Sequence, residues 1–434
     1  MSKFKIGIVI FILFIGLILR LHNYALYPQR GASSDEYTYS FLGISLLTKG
    51  VPESWSNLTA YKNKYDLTVR KLYFPMVYPY FDHPPLNGLL VGGWSILNGE
   101  TKFENVDLKT IRLVPIFLSL ISSILVFLIG LKLFDYRSAI WALLIYTTTT
   151  IFVMNQRVVF AENLLTPLFL GSIYFYSHIK KITTVKTILM GILAGLAFWT
   201  KELGIVVFIT MFYLFFEDYR KPKFIITFCL VFLVFFVGYI GYGYHYDGEL
   251  FWKIVSIQSS RPIGPETLQL LTFNPVIVNK FYSDGWYFLG FLSIFFGLFD
   301  FKKYKLIIIP ALVYLLLMIF SLAKTGEMGW YMIPMFPFMA LFTANLLSDS
   351  LRKNNWFIFL LLLFVGLYEV KFIYEYNFGL TGMQFRVLLF LIFGPFIILK
   401  LFHKDRAFRI LAIIWFYLLI LGTIFLTYNY IHPA

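Results

Sequence analysis

The sequence predicts an all-α protein that crosses a membrane many times, and three observations lead to this fold class. Of the 434 residues, 59% are hydrophobic and 14% are charged, whereas soluble domains are about 45–50% apolar and about 25% charged. The apolar residues form long runs, and Lys and Arg are concentrated in the short segments between them. The net charge of +14 therefore follows from the positive-inside rule and does not indicate a nucleic-acid partner.

The apolar runs predict about 13 membrane spans, because a spanning helix needs about 20 largely apolar residues. The first run is interpreted as an uncleaved span, since no small-residue cleavage site follows it. Cys229, the single cysteine, lies inside an apolar run, which excludes a disulfide framework and a cysteine metal site. The predicted spans are centred on residues 6–21, 111–131, 138–153, 161–178, 187–200, 202–216, 223–243, 285–299, 306–322, 331–347, 356–374, 386–402 and 409–427.

Residues 85–98 are apolar but too short to cross a bilayer easily, and they contain three glycines, so an interfacial or re-entrant helix is predicted. If this segment does not cross, the basic clusters all fall on one side, as the positive-inside rule requires. The N-terminus is then cytoplasmic, and the long segments 22–110 and 244–284 are extracytoplasmic. These clusters are Lys3/Lys5, Lys132/Arg137, Lys180/Lys181/Lys186, Arg220/Lys221/Lys223, Lys302/Lys303/Lys305, Arg352/Lys353 and Lys400/Lys404/Arg406/Arg409.

The segment 22–110 is predicted to be the functional loop. It carries the adjacent carboxylates Asp35 and Glu36, and later Asp82 and His83. Ionisable groups close to a membrane are costly and usually functional. A carboxylate suits a general base that takes a proton from an acceptor hydroxyl, and fixed Lys or Arg charges suit a departing phosphate.

The second extracytoplasmic segment, 244–284, adds His245, Gln258 and Arg261 to the same side of the membrane. Within it, residues 249–259 predict a short amphipathic helix lying on the membrane. No Gly-rich phosphate loop of the GxxxxGK[ST] type occurs anywhere in the chain, which argues against a nucleotide-driven machine.

With these motifs the sequence resembles the GT-C fold glycosyltransferases of the protein O-mannosyltransferase and lipid A aminoarabinose transferase group. The resemblance covers about residues 1–350 and implies a GT-C fold, a long first extracytoplasmic loop carrying juxtamembrane helices, and a sugar donor linked to dolichyl or undecaprenyl phosphate. The matching strings are Asp35-Glu36, Phe81-Asp82-His83-Pro84-Pro85-Leu86, Arg112-Leu113-Val114-Pro115, Gly130-Leu131-Lys132-Leu133-Phe134, Gln156-Arg157-Val158-Val159-Phe160-Ala161-Glu162, Gly195-Leu196-Ala197-Phe198-Trp199-Thr200-Lys201-Glu202 and Trp330-Tyr331-Met332-Ile333-Pro334-Met335-Phe336-Pro337.

The resemblance implies roles for individual residues. Asp35 matches the catalytic base, and Glu36 its orienting partner. His83 stands where relatives often have Lys. Because of this departure, the other candidate ligands of the donor phosphate become more important to the prediction. The expected phosphate ligands are His83, Arg261, Lys324, Tyr331 and Lys201, and the expected substrate contacts are Asp82, Arg157, Glu162 and Gln258. No cofactor is firmly implied. Oxygen and nitrogen ligands for a divalent metal ion are available from Asp82, His83, Glu36 and His245, with Asp82, His83 and His245 as the candidate set, but nothing in their spacing forces them together.

Several of these residues also fit structural roles. Asp35 could cap the helix that begins near Tyr37, and Glu36 could be a first-turn glutamate favoured by the helix dipole. Arg157 and Glu162 could form an interfacial ion pair, and Lys201 could snorkel to the interface.

The function that the resemblance implies is an inverting transfer of a sugar, mannose-like or another hexose or pentose, from the lipid carrier to an extracytoplasmic hydroxyl on protein, lipid or glycan. The abundance of Phe, Ile and Lys suggests a prokaryotic plasma membrane. Two other functions stay open: a transporter or flippase of lipid-linked sugars, which predicts charges at mid-membrane depth and two related halves, and a non-catalytic membrane scaffold.

Overall fold

The computed structural model describes residues 2–29, 34–260, 284–321, 329–376 and 379–430 of the chain. The fold is mostly helical, and one small sheet interrupts the helices. The helices are α1 (Lys3–Leu21), α2 (Asp35–Lys49), α3 (Pro85–Leu97), α4 (Leu108–Ile111), α5 (Leu113–Leu133), α6 (Tyr136–Thr148), α7 (Thr150–Asn155), α8 (Ala161–Ser177), α9 (Thr184–Thr200), α10 (Ile205–Asp218), α11 (Pro222–Ser259), α12 (Gly285–Gly297), α13 (Phe301–Ser321), α14 (Phe336–Lys353), α15 (Trp356–Tyr376), α16 (Gly382–Leu401) and α17 (Asp405–Tyr428).

Among the described residues, seven helical segments are long and apolar enough to cross a membrane. The other predicted spans fall on shorter helices. For example, the predicted span 138–153 is divided into α6 and α7 at Thr149, and α6, at 13 residues, is shorter than the roughly 20 that a crossing helix needs. The polytopic helical character is confirmed, whereas the full number of crossings stays a prediction. The seven segments are Lys3–Leu21, Leu108–Leu133, Pro222–Ser259, Gly285–Ser321, Gly329–Lys353, Gly382–Leu401 and Asp405–Tyr428.

The predicted short helix at residues 85–98 is present as α3, which begins with Pro85 in its first turn. Proline is favoured there because its missing N–H would have no helical partner. Backbone packs directly on backbone where α3 crosses α2: a Cβ added at Gly43 would lie 1.8 Å from the Gly88 carbonyl oxygen, and one at Gly92 would lie 2.4 Å from the Gly43 carbonyl carbon. These glycines therefore set the distance between α2 and α3.

An antiparallel three-stranded sheet lies between α2 and α3, in the order β1–β3–β2, and the sequence analysis did not predict it. Its strands are β1 (Ser54–Trp55), β2 (Lys64–Val69) and β3 (Leu72–Val77). Two features conceal it in the sequence. The hairpin turn is made by Arg70 and Lys71, both at positive φ, where Asn-Gly is the usual signal, and the central strand contains Pro75, a residue normally confined to edge strands.

The helix predicted at residues 249–259 is the last part of α11, which kinks at Asp247 (φ −167°, ψ 96°). The Asp247 carboxylate accepts a hydrogen bond of 2.9 Å from the Leu250 N–H and so restarts the helix. Its apolar face packs on protein: Phe251 and Ile254 are buried, and the Phe251 ring lies 5.5 Å from that of Phe81. This contact brings the end of α11 beside the segment that precedes α3.

Candidate active site

A cavity of about 280 Å³ lies where the beginning of α2, the segment before α3, the end of α9 and the turn before α14 meet. It unites six of the residues that the sequence analysis selected, and these come from five separate parts of the chain. The cavity is lined by Asp35, Thr38, Tyr39, Trp55, Ser56, Asn57, Leu58, Tyr80, Asp82, His83, Lys201, Gln258, Trp330 and Tyr331.

Asp35 is the first residue of α2, and its half-buried side chain lines the cavity. Burial raises the pKa of the Asp35 carboxyl to about 6. The positive charge of Lys201 lowers that pKa, and the negative charges of Glu162, Asp82 and Glu36 raise it again. A carboxylate with a pKa near 6 is a stronger base than an ordinary aspartate and is still largely ionised at neutral pH.

Glu36, the next residue, is fully buried away from the cavity in a bidentate ion pair with Arg112. The two bonds measure 2.9 Å from Nε to Oε2 and 2.7 Å from Nη2 to Oε1. The Val159 N–H also donates to Glu36, at 3.2 Å, and Nη1 of Arg112 donates to the carbonyls of Tyr24 and Pro28 at 2.7 and 2.8 Å. This network holds the beginning of α2 against α5 and the segment before α8, and so fixes where Asp35 lies.

Asp82 is held by two hydroxyl groups from the loop around the sheet. Ser56 Oγ donates to its Oδ2 at 2.5 Å, and Tyr61 Oη donates to its Oδ1 at 2.6 Å. Tyr61 Oη in turn accepts a bond of 2.9 Å from the Phe81 N–H. Burial, followed by the charge of Asp82, raises the pKa of the Tyr61 phenol, so this hydroxyl stays a donor and orients the carboxylate.

The His83 ring stacks on that of Tyr39, with centroids 5.0 Å apart and planes inclined by 25°. Tyr39 lies one helical turn after Asp35 in α2. The stack therefore places the imidazole on the same wall of the cavity as the Asp35 carboxylate.

Lys201 follows the last residue of α9 in an extended conformation (φ −163°). Its ammonium group forms an ion pair with Glu162, which lies in the first turn of α8, and stands 3.7 Å from the centroid of the Tyr331 ring. The Lys201 side chain is 6% exposed and that of Glu162 is fully buried, so Lys201 does not snorkel to the interface. Its positive charge is instead fixed at the wall of the cavity.

Arg157 does not pair with Glu162. Its buried guanidinium donates to the backbone carbonyls of Tyr27, at 3.2 Å, and of Leu19. Neither Arg157 nor Glu162 lines the cavity. The ion pair between Arg157 and Glu162 that the sequence suggested is therefore not formed, and Glu162 pairs with Lys201 instead. Arg157 connects the segment before α8 to the end of α1.

Gln258, near the end of α11, reaches the cavity, whereas His245 lies before the kink with its ring 4.7 Å from that of Tyr246. Within the described ranges, no three His, Cys, Asp or Glu side chains form a set that could hold a metal ion. The candidate metal-ligand set of Asp82, His83 and His245 is thus not assembled among the described residues. Arg261 and Lys324, selected as phosphate ligands, lie outside the described residues.

Three features of the site were missed from the sequence: the Ser56 and Tyr61 hydroxyls on Asp82, the Tyr39 stack, and Arg112 as partner of Glu36. Arg112 had a signal, since a lone Arg at the beginning of an apolar run has to find an acidic partner or carbonyls once it is buried. The hydroxyls had none, because serines and tyrosines are common throughout the loop.

The cavity combines a carboxylate of raised pKa, a fixed ammonium group and several hydroxyl and aromatic groups. A base and a positive charge that line one cavity suit a displacement in which a hydroxyl loses its proton and an anionic group departs. Stacked aromatic rings and hydroxyl donors suit a polar ring-shaped substrate with apolar faces.

Comparison with known proteins agrees with this interpretation. Residues 82–241 match the family model described as dolichyl-phosphate-mannose-protein mannosyltransferase. No curated protein matches the sequence. The matched region contains Asp82, His83, Glu162 and Lys201 of the site.

Solved structures share the fold at low identity. The apo structure of ArnT from Cupriavidus metallidurans aligns over 97% of this chain and 77% of its own, with a TM-score of 0.58 and 12% identity; the form bound to undecaprenyl phosphate gives 0.55 and 13%, over 98% and 77%. The oligosaccharyltransferase AglB from Archaeoglobus fulgidus, in complex with an inhibitory peptide and a dolichol-phosphate, gives 0.52 and 12%, over 100% of this chain and 56% of its own. The similarity establishes a GT-C-like fold.

Proposed function

We propose that the chain is a membrane glycosyltransferase related to the dolichyl-phosphate-mannose-protein mannosyltransferase family, whose model matches residues 82–241. We propose further that it moves a sugar from a polyprenyl-phosphate carrier to a hydroxyl acceptor, with inversion at the anomeric carbon. The sugar is mannose-like or another hexose or pentose, and the acceptor is a protein, lipid or glycan. One observation carries the proposal: the Asp35 carboxylate and the Lys201 ammonium group line the same cavity.

In this mechanism Asp35 takes the proton of the acceptor hydroxyl as its oxygen attacks the anomeric carbon. The bond between that carbon and the phosphate oxygen breaks, and the phosphate departs with the bonding electrons. Lys201 offsets the negative charge on the leaving phosphate, with Tyr331, His83 and Gln258 as further contacts. Arg261 and Lys324 are proposed for the same role from the sequence alone.

Asp82 is proposed to accept hydrogen bonds from sugar hydroxyls, because its two carboxylate oxygens are already oriented by Ser56 and Tyr61 and the residue lines the cavity. Glu36 is proposed as a positioning residue that acts through Arg112. Glu162 is likewise proposed to act through Lys201, whose ammonium group it holds in place.

The proposed orientation has a cytoplasmic N-terminus, about 13 crossings, and the cavity at the extracytoplasmic face of a prokaryotic plasma membrane. Residues 22–110 and 244–284 then form the two long outer segments. In a Cys229→Ser background, a membrane-impermeant thiol reagent should label Asn57→Cys in intact cells and should leave Asn355→Cys unlabelled until the cells are opened. The reverse labelling pattern would show that the orientation is opposite to the proposed one.

The function is tested with purified protein and a panel of labelled polyprenyl-phosphate sugars, chased with membrane extract. Transfer from one donor should occur with the wild type and be lost in Asp35→Asn, while donor binding is retained. Asp66→Asn is the matched control, because Asp66 is an exposed carboxylate on β2 in the same outer segment. If label leaves the donor equally with Asp35→Asn, the assignment of the base fails.

The transporter alternative predicts a different outcome in the same preparation. Reconstituted protein would move the intact labelled donor across a liposome membrane without releasing the sugar, and Asp35→Asn would leave that movement unchanged.

A further inference from the structure

A second polar cavity, of about 630 Å³, lies at the C-terminal end of α14, whereas the cavity that contains Asp35 lies before the N-terminal end of this helix. Its walls carry four arginines from three helices: Arg137 at the beginning of α6, Arg352 at the end of α14, and Arg406 and Arg409 in the first turns of α17. Leu351, Ile410 and Ile413 form its apolar floor. We call this feature the basic cavity.

The basic cavity is positioned at a membrane boundary. It lies where one candidate span, Gly329–Lys353, ends and another, Asp405–Tyr428, begins. The first of these spans starts at the catalytic cavity, with Trp330 and Tyr331 in its wall. The 18 residues of α14 extend over about 27 Å, close to the roughly 30 Å of a bilayer core. The two cavities therefore face opposite leaflets.

The charge of the basic cavity is mostly uncompensated. Arg352 pairs with Asp135, and the nearby Asp405 pairs with Lys400 at 3.2 Å. For the described part of the chain, no carboxylate lies within ion-pair distance of Arg137, Arg406 or Arg409. The positive-inside rule accounts for the number of such residues but not for their convergence on one cavity.

An apolar surface continues from the basic cavity along α17. Ile410, Ile414, Leu418 and Leu421 recur at helical spacing and are 48–60% exposed, so they form one stripe on the outside of a candidate span. Guanidinium groups at the membrane surface bind phosphate oxygens in bidentate fashion, while an exposed apolar stripe of this kind packs against acyl chains.

We propose that the basic cavity binds the phosphate headgroup of an anionic phospholipid, from the leaflet opposite to the catalytic cavity, with its acyl chains along the α17 stripe. Basic pockets between membrane helices recognise anionic headgroups in this way. The proposal rests on Arg137, Arg352, Arg406 and Arg409 and is independent of the proposed function.

The test measures lipid binding to the purified full chain by native mass spectrometry. Phosphatidylglycerol should bind saturably, and Arg406→Gln/Arg409→Gln should weaken that binding about 30-fold, since each basic residue near an anionic lipid contributes about a factor of five. The matched control is Lys180→Gln/Lys181→Gln, which removes two exposed charges from another basic segment of the same predicted face. Its binding should equal that of the wild type.

Each further arm separates one competing explanation. If lipid binding were weakened equally in both double variants, the loss would be due to general surface charge, and the proposal would be overturned. Equal binding of phosphatidylcholine would do the same. Displacement of the lipid by inorganic phosphate at similar concentration would assign the cavity to a free phosphate and overturn the lipid assignment. The melting temperature of Arg406→Gln/Arg409→Gln without added lipid should match the wild type, which excludes misfolding as the cause.

Discussion

The crossing of α2 and α3 gives the sharpest prediction, because Gly43→Ala should disturb catalysis without touching the cavity. A Cβ at residue 43 would lie 1.8 Å from the Gly88 carbonyl oxygen, whereas heavy atoms pack at about 3.5 Å. The position of the Cβ is fixed by the backbone of α2, and the carbonyl oxygen belongs to the backbone of α3, so neither atom can rotate away. We therefore expect α2 and α3 to separate by about 1.5 Å at this point.

This separation should reach the catalytic groups. Asp35 begins α2, eight positions before Gly43, while Asp82 and His83 immediately precede α3. A misplacement of about 1 Å at a reacting centre can reduce the rate about 100-fold, and overpacking of this kind costs about 1–3 kcal/mol of folding free energy. Gly43→Ala should then still fold, with kcat/KM lowered about 100-fold.

The assay compares transfer from the labelled donor with thermal unfolding in detergent. Gly171→Ala is the matched control, since residue 171 also lies within a helix but a Cβ there meets no atom within 4 Å. It should keep the wild-type rate and gain stability slightly, because alanine is the better helix former. Wild-type activity in Gly43→Ala, or equal loss in both variants, would refute the reasoning that this crossing sets the catalytic geometry.

Four further predictions concern the site itself. Arg112→Gln leaves a buried carboxylate on α2 unpaired and should lower the free energy of unfolding by about 3–5 kcal/mol, measured by thermal melting; a melting temperature equal to that of the wild type would contradict it. The log rate should rise with pH below about 6 and level off above, because Asp35, whose pKa is raised to about 6 by burial, must be ionised to act as a base. Lys201→Met removes a positive charge that lowers the pKa of Asp35, so the rising part of the pH–rate profile should move to higher pH. An unchanged profile would show that Lys201 does not influence the ionisation of Asp35. Tyr61→Phe removes one of the two hydroxyl donors to Asp82 and should reduce kcat/KM about tenfold, since a hydrogen bond to a charged group contributes about 1.5–3 kcal/mol; an unchanged kcat/KM would show that this bond does not support the reaction.

The sequence by itself determined the helical, membrane-embedded character of the chain. Long apolar runs can be stable in hydrocarbon only when every backbone group is bonded within its own segment, and this constraint is local. The helix α3 was predicted from the apolar composition and the short length of residues 85–98, which are also local properties. The adjacent Asp35 and Glu36 also stood out locally, because ionisable groups are rare and costly next to a membrane.

Only the tertiary structure decided which charges meet. Asp35 and Glu36 are neighbours in sequence, yet one lines the cavity and the other is bonded to Arg112, 76 positions away. Lys201 pairs with Glu162 across 39 positions, and Arg157, beside Glu162 in sequence, turns instead to carbonyls. The sheet depended on long-range pairing that Pro75 and the Arg70–Lys71 turn concealed. Burial strongly favours a partner for each charged side chain, but which partner it finds depends on how the helices pack, and that packing has no local signature in the sequence.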